Sequence, residues 1–567
     1  MFETRPWLKF YGDVAITLEY PKRTMYQAIA QVAARYPKAT ALEFMGRRTT
    51  YEKLLADVDR CADVLSSMGL KKGDRATLAL PNTPHAVIAF YALNKLGVVA
   101  SMIHPLSAPP EIEFFLRESD STWAFGLDAF YPKFREVLAR TPTRRVVVCS
   151  ISEYLGPLQR LGFALTTGRK IAPVPNDPEV LRWPDLMSRP APAAPAAALD
   201  PDELAVILYS GGTTGRPKGI MLSSMNFNCL GQQTLAQHPV TPGMSMLAIL
   251  PMFHGFGLGV CVHTILLAGG VCLLVPRFTA ESVAKLIRKK RPNFMAGVPT
   301  LYEALTRSPD FRKADLSCLT AAFAGGDRVP HSIKEEFDAV VRARGGTVVL
   351  REGYGLTECV TACMVMPAKH YRQESMGVPY PDALVKVVDR ETLAECPPGT
   401  EGEICVNSPT LMLGYLNEPA ETAKTLRRHA DGRVWLHTGD AGTMDADGFF
   451  YFKQRFKRLV KVSGVAVYPT QIEDVLHAHP EVALACAIGI PDLEKMARIK
   501  AFVVLREPGK ASDALKQQLL EHCKKNLNTW SCPRELEFRP DLPKTLVGKV
   551  AYTALEKEEE AARAARA

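Results

Sequence analysis

Eleven consecutive residues carry the strongest chemical hint: Tyr209-Ser210-Gly211-Gly212-Thr213-Thr214-Gly215-Arg216-Pro217-Lys218-Gly219. The apolar run Leu204-Ala205-Val206-Ile207-Leu208 precedes them and reads as a strand. Glycines let backbone N–H groups approach an anion closely, and hydroxyls and cations add donors for phosphate oxygens. A nucleotide phosphate is therefore the expected ligand. The P-loop of ordinary NTPases does not fit, because Gly215 is followed by Arg-Pro-Lys-Gly and Pro217 withholds a backbone donor.

Elements that could position such a loop alternate along the chain. Residues 51–70 carry the helical stripe Leu54, Leu55, Val58, Ala62 and Leu65. Strand-like runs follow at Ala76–Leu80, Val98–Met102, Val146–Cys149, Leu247–Leu250, Val271–Val275 and Val348–Leu350, with helical segments at His85–Leu96 and Glu281–Lys290. This alternation predicts layered α/β architecture with largely parallel sheets. Leu384–Val388 and Glu403–Val406 flank Pro397-Pro398-Gly399, which predicts an antiparallel pair in a small barrel-like subdomain. The Pro/Ala-rich stretch Arg189–Pro201 reads as a surface linker.

Bulk properties narrow the class. At 567 residues the chain needs more than one core. With 47% hydrophobic and 23% charged residues it has the composition of a soluble enzyme. The net charge of +9 suits anionic ligands or an anionic membrane surface, and no nucleic-acid motif accompanies it. Thirteen cysteines without a C-x-x-C pair suggest neither a disulfide framework nor zinc, and fit a reducing cytoplasm. The N-terminus lacks a basic region followed by an apolar run, so no signal peptide is expected.

Two segments raise the question of a membrane. No Asp, Glu, Lys or Arg occurs between Lys218 and Arg277, but Pro251, His254, Gly255, Gly257, Gly259 and His263 interrupt the apolar run. A buried helix and strand around an apolar pocket are expected there rather than a span. Ile151–Leu165, followed by Arg169-Lys170, mixes apolar and basic residues. A surface helix packed on its own domain is the simpler expectation, and a helix resting in a membrane interface the alternative. The tail Glu556–Ala567 reads as a solvated helix with i,i+4 charge pairs.

Six segments in order resemble the acyl-adenylate-forming (ANL) superfamily of acyl-CoA synthetases, luciferases and peptide-synthetase adenylation domains. They are the loop at Ser210–Gly219, Pro251-Met252-Phe253-His254, Tyr354-Gly355-Leu356-Thr357-Glu358, Thr438-Gly439-Asp440, Arg455 through Glu473, and Pro543-Lys544-Thr545-Leu546-Val547-Gly548-Lys549. Within that superfamily the chain is most similar to bacterial medium- and long-chain fatty acyl-CoA synthetases, through Gly297-Val298-Pro299-Thr300-Leu301-Tyr302, Glu352-Gly353-Tyr354 and Lys461-Val462-Ser463-Gly464. The resemblance implies an α/β adenylation domain over residues 1–455 and a mobile α+β lid over 456–567. It also implies ATP, Mg²⁺ and CoA as co-substrates and cofactor.

Residue roles follow from the same resemblance. Ser210, Gly211, Gly212, Thr213, Thr214, Gly215 and Lys218 would hold the β- and γ-phosphates. Glu358, with Thr213, would hold Mg²⁺, and Thr357 would touch the α-phosphate. Gly325, Gly326, Glu352, Gly353 and Tyr354 would form the adenine side, and Asp440 and Arg455 the ribose side. Lys549 would neutralise charge at the attacked phosphorus, with His254 beside the acyl group. Lys457 matches the hinge, after whose rotation Lys461, Ser463 and Gly464 would face the pantetheine arm. Gln454 departs from the family's usual Gly or Asp.

His254, Phe256, Gly297, Val298 and Gly325-Gly326 are the candidate acyl wall, and with no cation evident among them an alkyl chain is favoured. The expected reaction is fatty acid to acyl-AMP to acyl-CoA. A carrier-protein acceptor, an aryl acid and a non-catalytic acyl or nucleotide sensor are the alternatives. A cytoplasmic enzyme is expected, with peripheral contact at the inner membrane face open and a homodimer one option.

Overall fold

A computed structural model describes residues 5–195, 198–210, 217–462, 465–492, 496–545 and 549–564. Two twisted sheets form the large N-terminal part. The first has eight strands, with the parallel set Leu204–Ser210, Val99–Met102, Arg75–Ala79, Trp123–Leu127, Arg145–Cys149 and Val180–Arg182 at its heart. The second has nine, built on Leu350–Tyr354, Ala321–Ala324, Phe294–Gly297, Ser245–Ala248, Val271–Leu274 and Thr40–Phe44, again parallel.

Strand alternation decides which residues share a core. Met246, Ala248, Cys272 and Leu274 pack inward with Ala76, Leu78, Val206 and Leu208 of the other sheet. Leu247, Val271, Leu273 and Met295 turn outward onto Ala280–Lys290, Pro299–Arg307 and His331–Ala343. The helix Pro84–Leu96 belongs to the inner layer, and every residue except Lys95 is buried, as an all-round apolar helix requires.

The expected runs form their elements with small shifts, and one needs correction. Val348–Leu350 is not a strand by itself: the strand is Leu350–Tyr354, so the Glu352-Gly353-Tyr354 segment is itself part of the ladder. The apolar run before Val275 folds as a wide π-type helix, Phe256–Thr264, continued by Ile265–Leu267. Among the described residues no helix is long and apolar enough to cross a membrane.

A five-stranded antiparallel sheet supplies the barrel-like part. Leu384–Val388 pairs with Gly402–Asn407 as expected, and Val434–Met444 then pairs with both Gly402–Asn407 and Phe450–Arg455. The small C-terminal part is α+β. Val482–Asp492 pairs antiparallel with Met496–Leu505, which pairs in parallel with Glu535–Phe538, and Pro469–His477 and Asp513–Asn526 supply core residues beside this sheet.

Two surface helices differ from expectation. Tyr552–Ala564 buries Leu555, and its acids reach neighbouring strands: Glu559 pairs with Lys500, and Glu558 with Arg539 at 3.3 Å. A buried anchor and strand cations thus replace the expected self-contained charge ladder. Pro157–Leu165 has no buried residue, and Leu158, Leu161 and Leu165 are 86%, 59% and 53% exposed. Its apolar face is not packed on its own domain.

Candidate active site

The carboxyl ends of the two central sheets and one rim of the antiparallel sheet enclose a cleft of about 800 Å³. Open α/β sheets present ligand sites at such ends, where loops leave the strands and backbone N–H groups are free. The lining includes Ser210, Lys218, His254, Gly325, Gly326, Gly353, Tyr354, Thr357, Glu358, Arg455 and Lys549. Motifs from both parts of the chain therefore meet in one place. Gly211, Gly212, Thr213, Thr214, Gly215 and Arg216 lie outside the described residues, as do Ser463 and Gly464.

Sheet register builds the inner nucleotide wall. Val434–Met444 and Phe450–Arg455 run antiparallel with Asp440 opposite Arg455, and the pair lies 3.1 Å apart. The Tyr354 hydroxyl donates to Asp440 Oδ2 at 2.6 Å. Burial raises the Asp440 pKa, an effect that Arg455 and the Tyr354 hydrogen bond oppose. Asp440 itself sits just behind the lining residues Thr438 and Gly439. Gly439 has φ +71°, so glycine is required before this aspartate. Glu403 Oε1 holds the Gly439 N–H at 2.9 Å, and the Thr438 hydroxyl donates to the Ile404 carbonyl at 2.7 Å.

The Tyr354–Glu358 segment turns sharply after its acid. Val360 has φ 64° and ψ −59°, and the Thr361 N–H donates to the Cys359 carbonyl at 2.7 Å. This is the γ-turn of positive φ, which costs a β-branched residue about 1–3 kcal/mol. Two glycines admit it: a Cβ on Gly255 would lie 1.8 Å from the Val360 oxygen, and one on Gly355 1.5 Å from the Thr361 oxygen. The strained turn thus fixes where Thr357 and Glu358 enter the cleft. Glu358 Oε1 accepts from the Tyr415 hydroxyl at 2.8 Å.

Lys549, His254 and Lys218 line the cleft together with the glycine floor. Lys549 reaches over Gly326, where a Cβ would lie 3.5 Å from its Cε, and burial lowers its pKa. His254 Nδ1 accepts the Phe256 N–H at 3.1 Å, so the neutral ring carries its proton on Nε2. Burial, then the charge of Lys549, pushes its pKa down to about 4. Lys218 lies over the Tyr415 ring at 4.9 Å and pairs with Glu421 at 2.8 Å. This donor set suits a polyphosphate and its hard cation: lysines and an arginine for anionic oxygens, a carboxylate for Mg²⁺, and a floor without Cβ atoms.

The docked position of the C-terminal part explains why Lys549 is present. Arg328 pairs with Asp474, the Tyr468 hydroxyl donates to Glu401 at 2.8 Å, and the Thr470 hydroxyl donates to the Lys453 carbonyl at 2.7 Å. In this arrangement Lys461 lies exposed on the hairpin Val460–Val462 with Val465–Val467, and it is not among the cleft residues. Lys457 lines the cleft from the short turn Phe456–Arg458.

Three sequence expectations need correction. The Glu352 side chain is not part of the lining; it accepts from Tyr371 at 3.2 Å, and burial pushes its pKa up to about 7. Gly297 and Val298 are also absent from the lining: Leu301 and Tyr302 fill the space beside Gly297, and Val298 packs against Gly326. The acyl side does hold a cation nearby. Arg351, 6% exposed, stands behind the lining residues His238 and Phe323. Sequence reading missed it because strand register places residue 351 beside residue 323, and only packing of the helix Ser224–Gln237 on that sheet brings residue 238 to it.

The fold and this cleft define a two-part nucleotide-binding enzyme. The chain belongs to the AMP-binding enzymes: residues 29–416 match that family, and residues 471–549 match the AMP-binding enzyme C-terminal domain. It is 32% identical to a long-chain-fatty-acid–CoA ligase of Bacillus subtilis, with 99% of each chain covered. A feruloyl-CoA synthase of an Amycolatopsis species is 30% identical over 91% of this chain and 94% of its own. The crystal structure of an anthranilate CoA ligase with anthranoyl-AMP superposes with TM-score 0.83 at 25% identity, covering 96% of this chain and 99% of that one.

Proposed function

We propose that this chain is an AMP-forming ligase that activates a fatty acid with ATP and passes the acyl group to CoA. The carrying observation is the convergence of Thr357, Glu358, Arg455 and Lys549 over the Gly325-Gly326 floor, beside an apolar passage lined by Phe253, Phe256 and Val260. In the first step the substrate carboxylate attacks the α-phosphorus of ATP and pyrophosphate leaves. In the second, the CoA thiol attacks the acyl carbonyl, loses its proton and expels AMP.

Transfer at phosphorus depends on positioning and charge neutralisation. Lys549 faces the attacked phosphate and the incoming carboxylate. Asp440, tied to Arg455 and Tyr354, accepts from the ribose, and Lys218 attracts the outer phosphates together with the Ser210–Gly215 loop. Glu358 holds Mg²⁺, which supplies charge neutralisation at the phosphate oxygens. Residues 1–455 act as the adenylation domain and 456–567 as the lid, hinged at Lys457. The docked Lys549 and remote Lys461 match the first half-reaction. Rotation about the hinge brings Lys461 to the thiol arm.

The exposed helix Pro157–Leu165, with Arg160 inside it and Arg169 and Lys170 after it, rests on an anionic membrane surface in this reading. Co-sedimentation with phosphatidylglycerol vesicles at low salt tests it. Wild type binds and the Leu158→Glu/Leu161→Glu variant does not; equal behaviour of the two refutes the contact.

The activity test is AMP and pyrophosphate release with ATP, Mg²⁺ and CoA across short to long fatty acids and aryl acids. AMP with acyl-CoA is expected. Pyrophosphate without acyl-CoA points to a carrier-protein acceptor, and no turnover with any acid defeats the ligase reading.

A further inference from the structure

The far end of the acyl side is polar, and its donors lack acceptors. Strands Ala321–Ala324 and Leu350–Tyr354 run parallel with Phe323 opposite Arg351. Residues two apart share a strand face, so these two stand on the face of the cleft-lining Gly325 and Gly353. At about 3.3 Å per residue they lie roughly 7 Å below the glycine rim.

Among the described residues Arg351 has no carboxylate partner, and it is buried. Its Nη2 donates to His238 Nδ1 at 2.9 Å, its guanidinium lies over the Phe323 ring at 5.1 Å, and its Nη1 has no hydrogen-bond partner. The aromatic face attracts the charge but satisfies no N–H. Burial pushes the guanidinium down to about 10, so it remains a cation at neutral pH.

His238, 8% exposed, lines the cleft between Arg351 and the cavity. Because its Nδ1 accepts from the arginine, the neutral ring carries its proton on Nε2, and that atom is buried without an acceptor among the described residues. The cation behind the ring polarises this donor. Thr234, one helical turn earlier, and Tyr380 line the same end. A buried donor left unpaired forfeits its hydration without compensation, so a ligand acceptor at this place is favoured.

We propose that the His238–Arg351 pair receives an oxygen acceptor, and that the native substrate is a compact carboxylic acid bearing a hydroxyl, carbonyl or second carboxylate remote from the carboxylate being activated. This rests on reading the cleft as an acid-activating site. An ω-oxygenated alkyl acid and a ring-oxygenated aryl acid share that chemistry.

Matched acids separate them: octanoate against 8-hydroxyoctanoate, and cinnamate against 4-hydroxycinnamate, each assayed for kcat/KM of AMP formation with wild type, His238→Phe and Arg351→Leu. The oxygenated member of at least one pair is expected to be favoured about tenfold or more, because a site built to bond an oxygen rejects the analogue lacking it. The pair that responds identifies the alkyl or aryl source. Both substitutions should collapse the ratio toward unity, with melting curves checking that the variants fold. Should either fail to fold, the wild-type ratio still decides.

Preference for the plain acid in both pairs, or a preference that survives in folded variants, overturns the proposal. AMP formed without any preference overturns it while leaving the ligase reading intact. No AMP from any acid defeats both.

Discussion

The two ends of the cleft are held together by different physics. Around the nucleotide end the groups are charged: Asp440 against Arg455, Lys218 against Glu421, with Lys549 over the glycine floor. At the acyl end the buried polar groups form mostly neutral pairs. Behind that wall His263, fully buried on the π-type helix that carries the lining residues Phe256 and Val260, stands 2.9 Å from the Tyr91 hydroxyl and 2.9 Å from Asn228 Oδ1, and at the wall itself His238 meets Arg351 through a neutral ring. Charge at the first end is suited to an anionic partner that arrives and leaves. Neutral pairs at the second shape a wall, and only an unmatched donor there speaks of substrate.

Acid should expose this contrast most strongly. Burial pushes the His263 pKa down to about 3, against an ordinary value near 6.5. A depressed folded-state pKa gives stability that is complete above 6.5 and is lost as pH falls toward 3. The full loss is up to about 5 kcal/mol, at 1.36 kcal/mol per unit. Urea midpoints between pH 7 and 4 check it. His263→Gln should flatten that slope, and an unchanged slope would place the acid sensitivity elsewhere.

Next in size is the lysine at the charged end. Lys549→Ala should lower pyrophosphate exchange by about 10²–10³-fold, the range for removing one preorganised donor at a reacting centre. Thiolysis of supplied acyl-AMP should be nearly unaffected. Equal loss in both half-reactions would remove Lys549 from the first step alone.

Asp440→Asn keeps the shape but removes the charge facing Arg455. About 1.5–3 kcal/mol for a charged hydrogen bond predicts a rise in KM for ATP of roughly 10–100-fold with kcat less affected. A change confined to the acid's KM would contradict the division between the two ends.

The smallest effect concerns the hinge. Gln454 is fully buried, and neither amide atom has a hydrogen-bond partner among the described residues. Gln454→Leu should raise stability by about 1–2 kcal/mol, read from thermal melts, since an unsatisfied buried amide is removed. If the lid's swing needs that instability, the second half-reaction slows as stability rises.

Legibility followed the same division. The nucleotide end could be read because phosphate recognition uses short contiguous segments, where glycines, hydroxyls and a terminal cation sit side by side. Tyr354, Thr357, Glu358, Arg455 and Lys549 all reached the cleft from such segments. Glu352 did not, although it adjoins Gly353, because its carboxylate is held by Tyr371, nineteen residues further along the chain. Gly297 was displaced by Leu301 and Tyr302, whose packing no local pattern announces.

Sequence alone determined the layered α/β class, the antiparallel insert, the order of the motifs and the bounds of helices such as Pro84–Leu96 and Ala280–Lys290, since these follow from local periodicity and short-range geometry. Tertiary structure alone decided the γ-turn at Val360, the unpacked face of Pro157–Leu165 and the meeting of His238 with Arg351. Each depends on partners far apart in the chain, such as Gly255 against the Val360 carbonyl, which only register and packing bring together.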